Sequence, residues 1–284
     1  MHRFLKQKSV LRDSAVPSDG SISRGKDGDC SLGTTDSQEV SLLRVALLHE
    51  APLHRGIEPT LGQVIAAAVG NAGSLFRARL AYDIASCLHH EASLALKFAC
   101  AVEYFHIASL LLDDLPQMDD ASERRGRVCL HLLHGESAVL LAALALITRG
   151  YALAAIFSAG AGESDRRQFN ALLEKCLGTK GILNGQANDL QFAVKTVSKK
   201  SPAAVAFKKT VPLLELALLG PAILAGVHKT QCNALGRVAI YWGLAYQGLD
   251  DLRDLTETSS QCGKTVQRDA ALCRPNLLQN IGFE

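Results

Sequence analysis

Six aspartates in two groups are the residues of this chain best placed to do chemistry. The first group closes an apolar run: Ile107 to Leu112 leads into Asp113 and Asp114, with Asp119 following after Pro116. The second is Asp250, Asp251 and Asp254, and Asp250 lies 137 positions after Asp113. Aspartate is rarely buried unless it is paired or coordinates a cation, so carboxylates at the end of an apolar helix point to a metal site. Asp113 and Asp119 would point in different directions on a continuous helix. Pro116 forbids one, because it lacks an N–H and its ring clashes with the turn before it. The chain is therefore expected to turn near Leu115 and carry Asp119 back beside Asp113 and Asp114. In the second group Asp250 and Asp254 are i and i+4, on one helix face with Asp251 alongside. Three like charges this close repel one another, and a cation removes the repulsion. A solvated helix end, with acids and bases mixed at the surface, is the plain alternative for either group.

Such groups need stiff elements to hold them, and the sequence supplies helices. From Val40 onward alanine and leucine dominate, β-branched residues are sparse, and period-two alternation is hard to find. Breaks fall at Gly70-Asn71, Leu115-Pro116, Gly160 to Gly162 and Ser198 to Pro202. The expectation is one all-α domain over residues 41–284, with roughly ten helices packed in more than one layer. With 284 residues and 48% hydrophobic content, the chain can bury a large core. A net charge of +2, no basic patch interleaved with aromatics and no P-loop string leave nothing that points to nucleic acid. The eight cysteines are scattered without a Cys-x-x-Cys pair, which suggests reduced thiols in a cytoplasmic protein. The longest apolar stretches, such as Ala138 to Ile147, are too short in sequence to span a bilayer. Residues 1–40 hold seven serines, four glycines and few large apolar side chains. They are expected to form a disordered N-terminal extension, a transit peptide being the lesser option.

Together the two groups resemble the motifs of the trans (head-to-tail) isoprenyl diphosphate synthases. Asp113 to Asp119 with Arg124-Arg125-Gly126 looks like that family's Asp-Asp-x-x-x-x-Asp and trailing Arg-Arg-Gly. Gln247 to Asp254 looks like its Gln-x-x-Asp-Asp-x-x-Asp. Gly185-Gln186 with Asp189, then Lys209-Thr210, lie between them in the family's order, and Gly263-Lys264-Thr265 follows. The resemblance covers roughly residues 55 to 280.

It implies a multi-helix isoprenoid synthase bundle around a central cavity, acting as a homodimer on an allylic diphosphate and isopentenyl diphosphate. It implies Mg²⁺, three ions with bound diphosphate, held by Asp113, Asp114, Asp119, Asp250, Asp251 and Asp254. Mg²⁺ suits these residues because it takes oxygen ligands and binds through a few carboxylates plus substrate phosphates. The resemblance assigns Arg77, His106 and Arg125 to isopentenyl diphosphate and Arg124 to the allylic diphosphate, with Lys264 closing from the other side. Lys209 and Thr210 would contact the leaving diphosphate, Gln186 and Asp189 would stand near the reacting carbons, and Gln247 of the second motif would be a further catalytic residue.

One segment departs from the pattern. Where the family has Gly-Gly-Lys-Arg-x-Arg, this chain has Ala72-Gly73-Ser74-Leu75-Phe76-Arg77, so two basic residues are gone. Neighbouring Arg79 is a candidate to compensate. Ala108 and Ser109, five and four residues before Asp113, are small, and the next bulky side chain is Phe105, about 12 Å back along the helix axis. The expected product is geranylgeranyl diphosphate. Farnesyl diphosphate, or a weakly active regulatory subunit of a prenyl synthase, is the alternative. A class I terpene cyclase shares the metal chemistry but needs neither Arg-Arg-Gly nor the second Asp-Asp-x-x-Asp.

Overall fold

The computed structural model describes residues 32–192 and 202–256. In chain order the elements are α1 (Leu32–Glu50), α2 (Pro59–Gly70), α3 (Phe76–Cys87), α4 (Ala92–Asp113), β1 (Glu123–Arg124) and β2 (Arg127–Val128). They continue with α5 (Leu130–His134), α6 (Glu136–Ser158), α7 (Glu163–Leu177), α8 (Ile182–Phe192), α9 (Pro202–Leu224) and α10 (Lys229–Thr256). The all-α expectation holds, with ten helices among the described residues. The expected division at residue 40 falls inside α1.

Helix α4 is the axis of the bundle. It is buried on every side through Ala95, Phe98, Ala99, Ala101, Val102, Tyr104, Ile107 and Ala108. Its alanines let neighbours approach closely, and α3, α6 and α9 all pack against it. A second layer forms where α9 packs against α7, α8 and α10. The layers are joined by an aromatic stack in which Phe98 lies 4.6 Å from Phe157 and 5.8 Å from Phe169. Gly220 of α9 admits that stack, since a Cβ there would sit 2.6 Å from the Phe98 ring. Helix α2 starts cleanly because Pro59 presets its first turn and Glu58 accepts the Leu61 N–H at 2.8 Å.

The apolar runs are longer as helices than they look in sequence. Both α4 and α6, of 22 and 23 residues, are long and apolar enough to cross a bilayer. Packing accounts for α4. Helix α6 buries Val139, Ala142, Ala143, Leu146 and Leu153 and turns Leu140, Leu141 and Leu144 outward. Cys100, Cys129 and Cys176 are free and buried, as small core residues would be.

An ion cluster ties α1, α4 and α6 together. Glu50 accepts Lys97 Nζ at 2.8 Å and Arg149 Nη2 at 2.5 Å, and its carbonyl accepts Arg149 Nε at 2.8 Å. Burial pushes the Glu50 carboxyl up, but the Lys97 hydrogen bond and the charges of Lys97, Arg149 and His49 win and hold it below 4.5. A carboxyl with a lowered folded-state pKa stabilises above its unfolded value and loses that contribution as pH falls through the folded one. Glu50→Gln is therefore expected to cost about 1–3 kcal/mol at pH 7. Urea denaturation of both proteins should find that gap closing as the pH is lowered past the Glu50 carboxyl's folded value.

Candidate active site

The first aspartate group forms as its proline dictates. Helix α4 ends at Asp113, and the chain past Pro116 curls back so that the Asp119 N–H donates to Asp113 O at 2.9 Å. Ala121 N–H donates to Asp114 O at 3.2 Å, closing the loop. The chain then makes a hairpin, β1 pairing with β2 through Glu123 and Val128. Both turn residues have left-handed backbones, Arg125 at φ 55° and Gly126 at φ 71°. Two-residue hairpins require this, and glycine adopts it without strain. The turn throws two neighbouring arginines to different places. Arg124 Nε donates to Asp114 Oδ1 at 2.8 Å and its Nη2 to the same oxygen at 2.5 Å, whereas Arg125 Nη1 donates to Asn71 O at 2.5 Å.

Helix α9 carries Lys209 and Thr210 between the other parts, and two glycines let it do so. A Cβ on Gly185 of α8 would lie 2.5 Å from the Lys208 carbonyl, so the α8 and α9 backbones touch there. Pro212 has no N–H to give that same carbonyl. On the other side, Gly243 of α10 meets Val211, whose Cγ2 would be 2.6 Å from an added Cβ. The close approach sets Lys209 Nζ 2.9 Å from Asp189 Oδ2. Thr210 Oγ1 donates to Gln247 Oε1 at 2.7 Å, and Gln247 Nε2 donates to Asp251 Oδ1 at 2.7 Å. Gly185→Ala is expected to cost about 1–3 kcal/mol in overpacking. It should lower turnover more than it lowers the melting temperature, because the backbone it displaces carries Lys209.

Electrostatics bind these groups into one site. Burial, with Asp119 and Asp189 nearby, pushes the Asp113 carboxyl up to about 6 against the pull of Lys209 and Arg124. Burial works against the Lys209 charge, but Asp113, Asp189 and Asp119 hold its pKa above the ordinary value. His106 is held well below its usual range by burial and by Arg77, Arg125 and Arg124, so its imidazole is neutral. Arg77 is buried, with its guanidinium 5.0 Å from the centre of the Tyr246 ring. Gln186, one turn before Asp189, has a buried Nε2 without a partner.

The structure thus gathers Asp113, Asp114, Asp119, Arg124, Asp189 and Lys209 into one charged group, and Thr210, next to Lys209 on α9, is hydrogen-bonded through Gln247 to Asp251 of the second group. Asp250 lies beside Asp251 on α10, half-buried. The Asp254 side chain and Lys264 lie outside the described residues. Among the described residues no three His, Cys, Asp or Glu side chains converge to hold an ion unaided. The donors are nonetheless all carboxylate oxygens, and Mg²⁺ binds through one or two carboxylates and completes its shell with water and substrate phosphate. The residues fit that ion.

Two residues escaped the sequence reading. Glu103, 1% exposed on α4, faces Arg77, Arg125 and Arg44, and its Oε2 has no partner. Arg44 on α1 reaches the carbonyls of Ala72 and Gly73. A charged residue inside an otherwise apolar helical run was the available signal for Glu103; Arg44 carried none. The tail-length candidates sit on α4 as expected. Ala108 is buried, Ser109 Oγ donates to His106 O at 2.8 Å, and Phe105 stacks edge-on to Tyr151 with ring centroids 5.2 Å apart. The Phe105 ring lies against Gly150 of α6, where a Cβ would come within 2.7 Å of it.

The ten described helices form one bundle in which aspartates from α4, α8 and the loop after α4 surround the half-buried Lys209. The polyprenyl synthetase family profile matches residues 58–284, and the chain belongs to that family. It is 34% identical over 193 residues to a chloroplastic geranylgeranyl pyrophosphate synthase of Capsicum annuum, covering 67% of this chain and 52% of that protein. It is also 34% identical over 215 residues to geranylgeranyl pyrophosphate synthase 11 of Arabidopsis thaliana, covering 73% of this chain and 60% of that one. The chain therefore spans a little over half the length of the curated relatives it matches. Its fold resembles a Helicobacter pylori geranyltransferase solved with magnesium and isoprenyl diphosphate, with a TM-score of 0.77 and 24% identity over 91% of this chain and 86% of that one.

Proposed function

We propose that the chain is a Mg²⁺-dependent prenyltransferase that joins an allylic diphosphate to isopentenyl diphosphate and ends at geranylgeranyl diphosphate. The observation that carries this is the position of Lys209-Thr210. Lys209 pairs with Asp189 and is held charged by Asp113 and Asp119, while Thr210 joins Gln247 and Asp251 of the second group. Bound Mg²⁺, held by Asp113, Asp114 and Asp119 on one side and Asp250, Asp251 and Asp254 on the other, would supply positive charge to the diphosphate.

The chain's own groups do the rest. Arg124 and Lys209 bind the allylic diphosphate, and the forked donors of Arg124 suit phosphate oxygens. As the carbon–oxygen bond breaks, its electron pair leaves with the diphosphate, and fixed positive charge stabilises it there. Thr210, Gln186 and Gln247 line the place where the allylic cation forms. The double bond of isopentenyl diphosphate, oriented by Arg77, His106 and Arg125, attacks that cation. A carbon–carbon bond forms, and the proton released goes to the departed diphosphate. Asp189 is committed to Lys209 and the aspartates to the metal, so none of them serves as the base. A second copy of the chain would cover the outer face of α5 and α6, where Leu132, Leu133, Leu140, Leu141 and Leu144 are exposed.

Incubating the purified chain with Mg²⁺, isopentenyl diphosphate and starters of five to fifteen carbons tests the proposal. A twenty-carbon product supports it and a fifteen-carbon product supports the farnesyl reading. Turnover that appears only when an active synthase is added marks a regulatory subunit.

A further inference from the structure

The turn between α2 and α3 gives three successive carbonyls to arginines from other elements. Arg125 takes Asn71 O, Arg44 Nη1 donates to Ala72 O at 3.1 Å, and Arg44 Nη2 donates to Gly73 O at 2.9 Å. The Arg125 guanidinium lies so close over Gly73 that a Cβ there would be 2.8 Å from three of its atoms. The chain then enters α3 through Leu75, whose backbone is left-handed at φ 57° and whose side chain makes no cap. Leu75 is 1% exposed and packed inward. Glu103 accepts the Ala78 N–H, leaving its Oε2 buried without a partner. Arg77, 8% exposed, has its Nε in the same condition. Arg44, Arg77 and Arg125 thus gather around one buried carboxylate at the start of a twelve-residue helix, where backbone N–H groups favour an anion.

We propose that Arg44 is a positioning residue for the second diphosphate: with Arg125 it clamps the 71–73 turn and brings from α1 the positive charge that Ser74 and Leu75 do not. Naming the ligand as isopentenyl diphosphate rests on the prenyl-transfer reading; the clamp itself does not. Arg79, the neighbour expected to compensate, pairs with Glu39 of α1 at 3.9 Å. Arg44 bridges two carbonyls with two nitrogens, a geometry that lysine's single ammonium reproduces poorly.

Steady-state kinetics of the full chain test this. Arg44→Ala is expected to raise KM for isopentenyl diphosphate about tenfold. The allylic KM and kcat should stay within about twofold. Arg44→Lys should recover little, whereas adding Ser74→Lys to Arg44→Ala should restore KM by returning charge to the turn. An unchanged KM for isopentenyl diphosphate overturns the proposal. So does a parallel loss in both substrates with a lowered melting temperature, which marks Arg44 as structural only. If the wild type turns over no starter, the prenyl-transfer reading fails and the clamp is tested by calorimetric titration with inorganic diphosphate. Weaker binding by Arg44→Ala of about tenfold then supports it, and equal binding overturns it.

Discussion

Asp113→Asn is expected to lose turnover by roughly a thousandfold while raising the melting temperature of the metal-free protein. The two effects share one cause. Burial and the nearby Asp119 and Asp189 make charge at Asp113 unfavourable in the folded chain. Asparagine keeps the shape and removes the charge, so the folded state gains, at about 2–4 °C per kcal/mol for a chain of this size. The same change removes an anionic oxygen from the proposed Mg²⁺ ligands. Thermal melts with EDTA and with Mg²⁺ plus inorganic diphosphate check the pair of outcomes. The variant should melt higher with EDTA, and the wild type should gain more when metal and diphosphate are added. Wild-type turnover from Asp113→Asn would remove this carboxylate from the mechanism.

Ala108→Phe is expected to shift the product from twenty carbons to fifteen or fewer. Ala108 is buried on α4, five residues before Asp113, and a phenyl ring there needs space that a well-packed interior does not have. If the prenyl tail runs down this helix, the ring occupies the tail's space and the variant folds normally. If it does not, the ring meets packed side chains and costs about 1–3 kcal/mol with no change in product. Product sizing together with a melting curve separates the cases. Phe105→Ala is expected to act in the opposite direction and lengthen the product.

Features that depend on residues near in sequence were legible before the structure. Pro116 announced the turn that returns Asp119 to Asp113, and the scarcity of β-branched residues announced the helices. The i and i+4 spacing of Asp250 and Asp254, with Asp251 alongside, put the second group on one helix, and all three positions lie on α10. What escaped depended on contacts between distant segments. Nothing local tells that Gly185 and Gly243 are pressed against α9 from two sides, or that Arg44 crosses to the turn before α3. The hairpin at Arg124 was missed because its strands have two residues each, too few for alternation to register. The start of α1 at Leu32 was missed because polar residues dominate its first half and mimic an unstructured tail.

If the prenyl tail runs down α4 toward Phe105, the contact between the Phe105 ring and Gly150 ties tail length to two positions 45 apart in the chain. Any side chain at residue 150 evicts the ring from its place between α4 and α6, and the ring must then swing elsewhere or strain the helix pair. Substitutions at 105 and 150 are therefore non-additive. Adding a side chain at 150 while Phe105 is kept is the combination that clashes, whereas Phe105→Ala beside Gly150 is not. Under the proposed tail path, exchanging both residues together, a large side chain on α6 for a small one on α4, is the swap expected to preserve packing while changing product length.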